Sequence, residues 1–160
     1  MLLGAFFKGE STRIRLTPSL KAQICELSGT DKFSKALPNL ERAVAATRML
    51  NQDIKRGCTF HEVTADGEQH IVNFILEPCE VEEAATCRDR MSHELIKEIV
   101  SLSKEMGLET KTGKQATFND AIPYLMSAIN MTIMLGESIK EGSKLLMVNP
   151  EGEQYAVKFI

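Results

Sequence analysis

Along this chain apolar residues recur first at every second position, then in two helical stripes, then at every second position again, and the whole order is run through twice. Residues 11–17, STRIRLT, put Ile14 and Leu16 on one side and Arg13, Arg15 and Thr17 on the other, which predicts a half-buried strand. Thr17-Pro18 then reads as an N-cap followed by proline at the first helical position, where a missing N–H costs little. Leu20, Ile24 and Leu27 form the stripe of a first helix ended by Gly29. A longer helix follows, from a cap at Phe33-Ser34 to Gly57, with Pro38 near its start and Leu40, Val44, Thr47, Leu50 and Ile54 as its core face. A hairpin turning at Asp66-Gly67 closes the unit, because glycine accepts the positive φ of a tight turn.

The second half repeats the first. From Pro38 and from Pro123 about thirty-eight residues align without a gap and about sixteen are identical, which chance does not give. Upstream, Arg13-x-Arg15 matches Arg88-x-Arg90, and an insertion near Lys104 to Gly113 accounts for the changed spacing. Ser92 caps the first helix of this copy, whose stripe is Leu95, Ile99 and Leu102 before Gly107. Phe118-Asn119 caps the second, whose core face is Leu125, Ile129, Thr132, Leu135 and Ile139 before Gly142. The second hairpin turns at Pro150-Glu151-Gly152, and Phe74 and Phe159 hold matching places expected to point into apolar surface. The expected fold class is α+β, an internally duplicated strand-helix-helix-hairpin unit: repeat 1 at 11–76, an acidic linker at 77–85 and repeat 2 at 86–160. Stripes this narrow are not satisfied within one copy, so the repeats are expected to share one core as a pseudo-dimer, with the two R-x-R strands paired antiparallel.

Composition adds limits rather than a function. A chain of 160 residues, 43% hydrophobic and 26% charged, is long enough to bury a core and ordinary for a globular protein. The apolar start, MLLGAFF, is broken by Gly4 and stopped by Lys8, too short for a membrane span or a secretory core, so a cytoplasmic protein with no membrane partner is expected. Cys25, Cys58, Cys79 and Cys87 form no C-x-x-C pair and do not recur between the copies, which favours free thiols over disulfides or zinc. His61, His70 and His93 fall at non-equivalent places, and no nucleophile elbow, zinc-protease helix, phosphate loop or dinucleotide fingerprint occurs. No enzyme, cofactor or metal site is therefore expected.

The net charge of −3 argues mildly against a nucleic-acid binder, so any basic surface must be local. The strand with an alternating basic face, the Thr-Pro cap of a first helix and the polar cap of a second together resemble the ribbon-helix-helix fold of Arc and methionine-repressor type DNA-binding proteins, over roughly residues 11–57 and 86–142. The resemblance implies that a two-stranded antiparallel ribbon enters the major groove of double-stranded DNA, as in a transcriptional repressor or a plasmid or phage accessory factor. It would place Arg13, Arg15, Thr17, Arg88, Arg90 and Ser92 on base edges, the arginines suiting guanine. It would place Ser34, Lys35 and Asn119 near phosphates at the N-termini of the second helices, with Lys32 and Lys114 adding charge nearby. Two departures stand out. Asp89 occupies the inward position held by Ile14 in the first copy, so either it pairs with an arginine or the second strand is irregular. The hairpins are not part of the minimal family fold.

An R-x-R alternation on one short strand is ordinarily a solvated face, and its recurrence before the first helix of both copies is what points to a function. The competing reading is a protein-interaction module or inhibitor that grips another protein with its acidic surface and paired hairpins. Further self-association of pseudo-dimers is compatible with either reading.

Overall fold

The computed structural model describes residues 10–74 and 77–157. The apolar start, Phe159 and the ends of both hairpin repeats lie outside the described residues. Among those described, the chain is α+β: four helices and two small antiparallel sheets, in the order β1 (Ser11–Leu16), α1 (Pro18–Ser28), α2 (Phe33–Lys55), β2 (Thr59–Val63), β3 (Gln69–Val72), β4 (Cys87–Ser92), α3 (His93–Glu105), α4 (Phe118–Lys140), β5 (Lys144–Val148) and β6 (Gln154–Val157). None of these helices is long and apolar enough to cross a membrane.

β1 and β4 pair antiparallel in a two-stranded ribbon, the arrangement expected from the sequence. Its register sets Ile14 opposite Asp89, and these two residues occupy equivalent places in the two repeats. The other sheet has the strand order β3-β2-β5-β6, so each hairpin supplies one edge and one central strand. Its central pairing sets His61 opposite Leu146, again residues at equivalent places. Both pairings are thus centred on the repeat relation.

The inner side of the ribbon, Ile14, Leu16 and Met91, packs with Leu20, Ile24, Leu40, Val44, Leu95, Ile99, Leu102, Leu125 and Ile129 in one buried cluster drawn from both repeats. Leu50, Phe60 and Leu145 form a smaller cluster beneath the hairpin sheet, where the Phe60 and Phe74 rings meet edge to face at 5.3 Å between centroids. Full burial of each large aliphatic side chain stabilises the fold by roughly 1.5–3 kcal/mol. Helix α4 packs against both β1 and β5, and α2 against β4 and the hairpin cluster, so the two long helices lie between the sheets.

Several boundaries follow from local chemistry. Thr17 Oγ1 accepts from the Leu20 N–H at 3.1 Å, and Ser92 Oγ accepts from the Leu95 N–H at the same distance, capping α1 and α3. After α2, Gly57 has φ +92°, and after α4, Gly142 has φ +96°, backbone that a side chain would strain. Space is also short there, since a Cβ on Gly142 would meet the Cβ of Ala65, in the other repeat's hairpin turn, at 3.2 Å.

Three expectations need correction. The second helices start at Phe33 and Phe118, so Pro38 and Pro123 sit in the second turn, and Ser34 and Asn119 are first-turn residues rather than caps. The α4 cap is Thr117, in a reciprocal capping box with Asp120, whereas Lys32 precedes α2 without a side-chain cap. Ile139, expected in the core face, is exposed at the end of α4. Residues 77–85, between the repeats, lie against the fold: Cys79 and Val81 pack on the core, the Cys79 N–H donates to the Pro123 carbonyl at 3.0 Å, and Glu83 Oε1 accepts from the Ser19 N–H at 3.1 Å. That contact gives the first turn of α1, which has no acid of its own, a carboxylate at its positive end.

Candidate nucleic-acid interface

The outward side of the ribbon is built by strand alternation alone. Ile14, Leu16 and Met91 are drawn into the core, so the residues between them must face away from it. Arg13 stands directly opposite Arg90 and Arg15 opposite Arg88, all four exposed. Ser11 and Ser92 form the next row. Among the described residues none of the four guanidinium groups has a carboxylate within ion-pair distance. Arg90 Nη1 donates to Ser11 Oγ at 3.1 Å. Like charges directly across a ladder oppose pairing by roughly 0.2–1 kcal/mol per pair. The ribbon bears this repulsion twice, in consecutive outward rows, and the buried inner side offsets it.

Thr17 does not belong to this face. It is 1% exposed, lies past the end of β1 and uses its hydroxyl to cap α1, so it is withdrawn as a base-reading residue. The proline after it explains why: the strand must turn into helix at that point, and the side chain goes to the helix end instead of continuing the alternation. Ser92, the repeat counterpart of Thr17, caps α3 by the same bond, but it stays in the ladder opposite Ser11 and is half-buried rather than sealed.

Asp89 pairs with Lys21 of α1, not with an arginine, and β4 is a regular six-residue strand. Lys21 Nζ lies 3.0 Å from Asp89 Oδ2. The hydrogen bond that the Lys21 ammonium donates to the Asp89 carboxylate, reinforced by the carboxylate's charge, raises the Lys21 pKa above the usual lysine value. Lys21 and Asp89 correspond in the repeat to Ile96 and Ile14, so an ionic pair in one half stands where the other half has two isoleucines. The signal was present in the sequence as two mismatches that change together.

At the N-terminus of α2, Ser34 and Lys35 are exposed, and the first turn contains no acidic residue. At the matching end of α4, Asn119 is exposed, but the Asp120 carboxylate accepts from the Thr117 N–H at 2.9 Å and puts a negative charge in the first turn. Sequence reasoning misses this box, because Phe118-Asn119 reads as the cap. It also misses the role of Lys55, whose ammonium donates to the Glu105 carbonyl at the C-terminal end of α3 at 2.8 Å while Arg48 pairs with the Glu105 side chain.

Away from the ribbon, two grooves lie against the long helices. One, of about 720 Å³, is floored by Ala46, Met49 and Leu50 beside Met147 and Val157; the other, of about 340 Å³, by Met131, Met134 and Leu135 beside Glu62 and Val72. These residues match pairwise between the repeats, and Met49 and Met134 are both about two-thirds exposed. No cluster of metal-ligating side chains occurs among the described residues. No family model, curated protein or solved structure matches this chain.

Proposed function

We propose that the chain is a ribbon-helix-helix-like pseudo-dimer that binds double-stranded DNA through the β1/β4 ribbon, in the manner of a transcriptional repressor or an accessory factor of plasmid or phage type. The observation that carries the reading is the pair of arginine rows, Arg13/Arg90 and Arg15/Arg88, exposed, in register and unmatched by acid among the described residues. A face of this kind suits a polyanion that presents hydrogen-bond acceptors, and arginine recognises the O6/N7 edge of guanine with two parallel bonds. Lys35 and the uncapped first turn of α2 supply a second positive element for a backbone phosphate.

Titration against a selected duplex library at two salt concentrations tests this. Arg13→Ala with Arg15→Ala is expected to remove about 1–3 kcal/mol per lost base contact and to relax sequence preference. Lys35→Ala is expected to weaken all sequences alike and to reduce the salt slope by about one. Absence of salt-sensitive binding to any duplex by the folded protein would falsify the assignment. The alternative, a protein-interaction module, is favoured by one observation, the matched pair of methionine-floored grooves. Binding there would depend on Met49 and Met134, be nearly independent of salt, and leave the arginine variants unaffected.

A further inference from the structure

A ribbon assembled from two identical chains has equivalent ends. The ends of this one differ. Under the repeat relation Ser11 corresponds to Thr86 and Thr17 to Ser92, so a ladder faithful to the repeat would close on a Ser11/Ser92 row at one end and a Thr17/Thr86 row at the other. All four residues carry a hydroxyl, and the sequence alone makes the two ends alike. The observed ladder contains the first of these rows and lacks the second: it runs from Ser11/Ser92 to Leu16/Cys87 and stops. Thr17 is sealed beneath the surface as the α1 cap, and Thr86 is exposed but lies ahead of β4, outside the ladder.

The serine row is held in place. Each of its oxygens accepts one hydrogen bond, Ser11 from Arg90 at 3.1 Å and Ser92 from the Leu95 N–H at 3.1 Å, and a hydroxyl that accepts keeps its O–H to donate. Arg15 is the repeat counterpart of Arg90, and Thr86 the counterpart of Ser11, yet no matching bond joins those two. The same end carries the exposed imidazole of His93, whose Nε2 lies 2.8 Å from Thr12 Oγ1; at the other end the counterparts are Pro18 and Cys87. A hydroxyl already fixed by the ladder loses little freedom on meeting a base edge, whereas one on an unpaired residue must first be ordered.

The middle of the ribbon is polar in the same sense. The Lys21–Asp89 pair joins α1 of the first repeat to β4 of the second, and the other half has no equivalent of it. Two copies of β4 paired together would set Asp89 against Asp89 at the centre of the ladder, a like-charge contact.

From these features we infer that the ribbon reads a directional, non-palindromic duplex site: two central arginine-read steps flanked on one side only by a base pair whose acceptors meet the Ser11 and Ser92 hydroxyls. This inference rests on the DNA reading above and adds the class of site. Acceptor edges in the major groove are guanine O6 and N7, adenine N7 and thymine O4, so the flanking preference is broader than the central one.

The test is selection of duplexes from a random library by the full chain, followed by titration of the selected site with each position changed. The expected consensus differs from its own reverse complement and extends further on one flank. Ser11→Ala should lower discrimination about five-fold or more at that flank alone, the factor expected of a single mismatched pair. Thr86→Ala, the same change at the counterpart position, is expected to leave discrimination at the opposite flank as it was. A palindromic consensus from the wild type, or equal effects of Ser11→Ala and Thr86→Ala on their own flanks, overturns directionality while leaving DNA binding intact. Selection that enriches nothing with a folded protein overturns the DNA reading and this inference together.

Discussion

Removing Lys21 and removing Asp89 should have unequal effects, because the two ends of their ion pair are unequally wet. The Asp89 side chain is 20% exposed and points to the inner side of the ribbon, whereas Lys21 is 38% exposed. Lys21→Met therefore strands a largely desolvated carboxylate. Breaking a fully buried pair costs about 3–5 kcal/mol, and partial exposure brings the expected loss here down to about 2 kcal/mol. Asp89→Ile strands only an ammonium whose stem lets it reach water, and it adds apolar contact opposite Ile14, so a change between zero and about 1 kcal/mol of added stability is expected. The double variant Lys21→Ile with Asp89→Ile recreates the Ile96 and Ile14 combination of the other half and should be the most stable of the set. Urea denaturation at neutral pH gives the three differences, and for a chain of this size about 2 kcal/mol shifts Tm by roughly 4–8 °C. The pH dependence has a fixed sign. A lysine whose folded pKa is raised contributes stability fully below its unfolded value of 10.5 and loses it as pH rises through the folded one, so on the alkaline side the wild type should keep its advantage over Lys21→Met up to pH 10.5 and lose it above. Equal effects of Lys21→Met and Asp89→Ile, or a double variant less stable than either, would refute the reasoning.

Thr17→Ala should cost about 1 kcal/mol by calorimetry, the value of an N-cap hydroxyl, and leave the sequence preference of bound duplexes unchanged, since the side chain is withdrawn from the surface. Gly142→Ala should cost about 1–2 kcal/mol from the left-handed backbone alone, with the 3.2 Å approach to Ala65 adding to it, and should lower Tm more than Gly29→Ala, where a Cβ meets nothing within 4 Å. Deleting residues 143–160 removes β5 and β6, leaves one edge of β2 unpaired and uncovers Leu50 and Phe60, so the truncated chain should melt at lower temperature and lose solubility; unchanged melting would show that the hairpin sheet is not part of the cooperative unit.

The elements legible in the sequence are those set by short-range pattern. Period-two alternation marks the first ribbon strand and the repeat match the second, each to within a residue; Thr17-Pro18 marks the start of α1, and the glycines after each long helix mark its end. The partnership of the strands is legible because neither repeat can cover its own stripe, and the observed core draws on both. What escapes are side chains whose role is fixed from a distance. Thr17 continues the strand alternation on paper, and only the helix that follows turns it inward. The start of α2 is read slightly late because Ser34 offers a capping side chain, while the helix begins at Phe33 behind Lys32, which makes no side-chain cap, and accepts the N–H lost at Pro38 in its second turn. Lys21 and Glu83 could not be assigned, because their partners Asp89 and Ser19 lie far away in the chain and meet only through the fold.

The overall negative charge and the arginine ribbon are compatible because charge acts locally at physiological ionic strength, where the screening length is about 8 Å. Acidic side chains gather at the hairpin turns, with Asp66, Glu68, Glu151 and Glu153 all exposed there. The helical layer separates that sheet from the ribbon, α4 packing on both, and one helix with its side chains is about 10 Å across. A polyanion approaching Arg13, Arg15, Arg88 and Arg90 at contact range is therefore governed by those four charges rather than by the sum over the chain. On the proposed reading, the repulsion within the ribbon narrows the ligand further. Each arginine row holds two positive charges face to face, so a single small anion leaves one row unrelieved, whereas a ligand with several negative charges along its length relieves both at once. On the DNA reading proposed above, the acidic sheet at the other side of the helices does not share that ligand, and the hairpin side is left to other contacts.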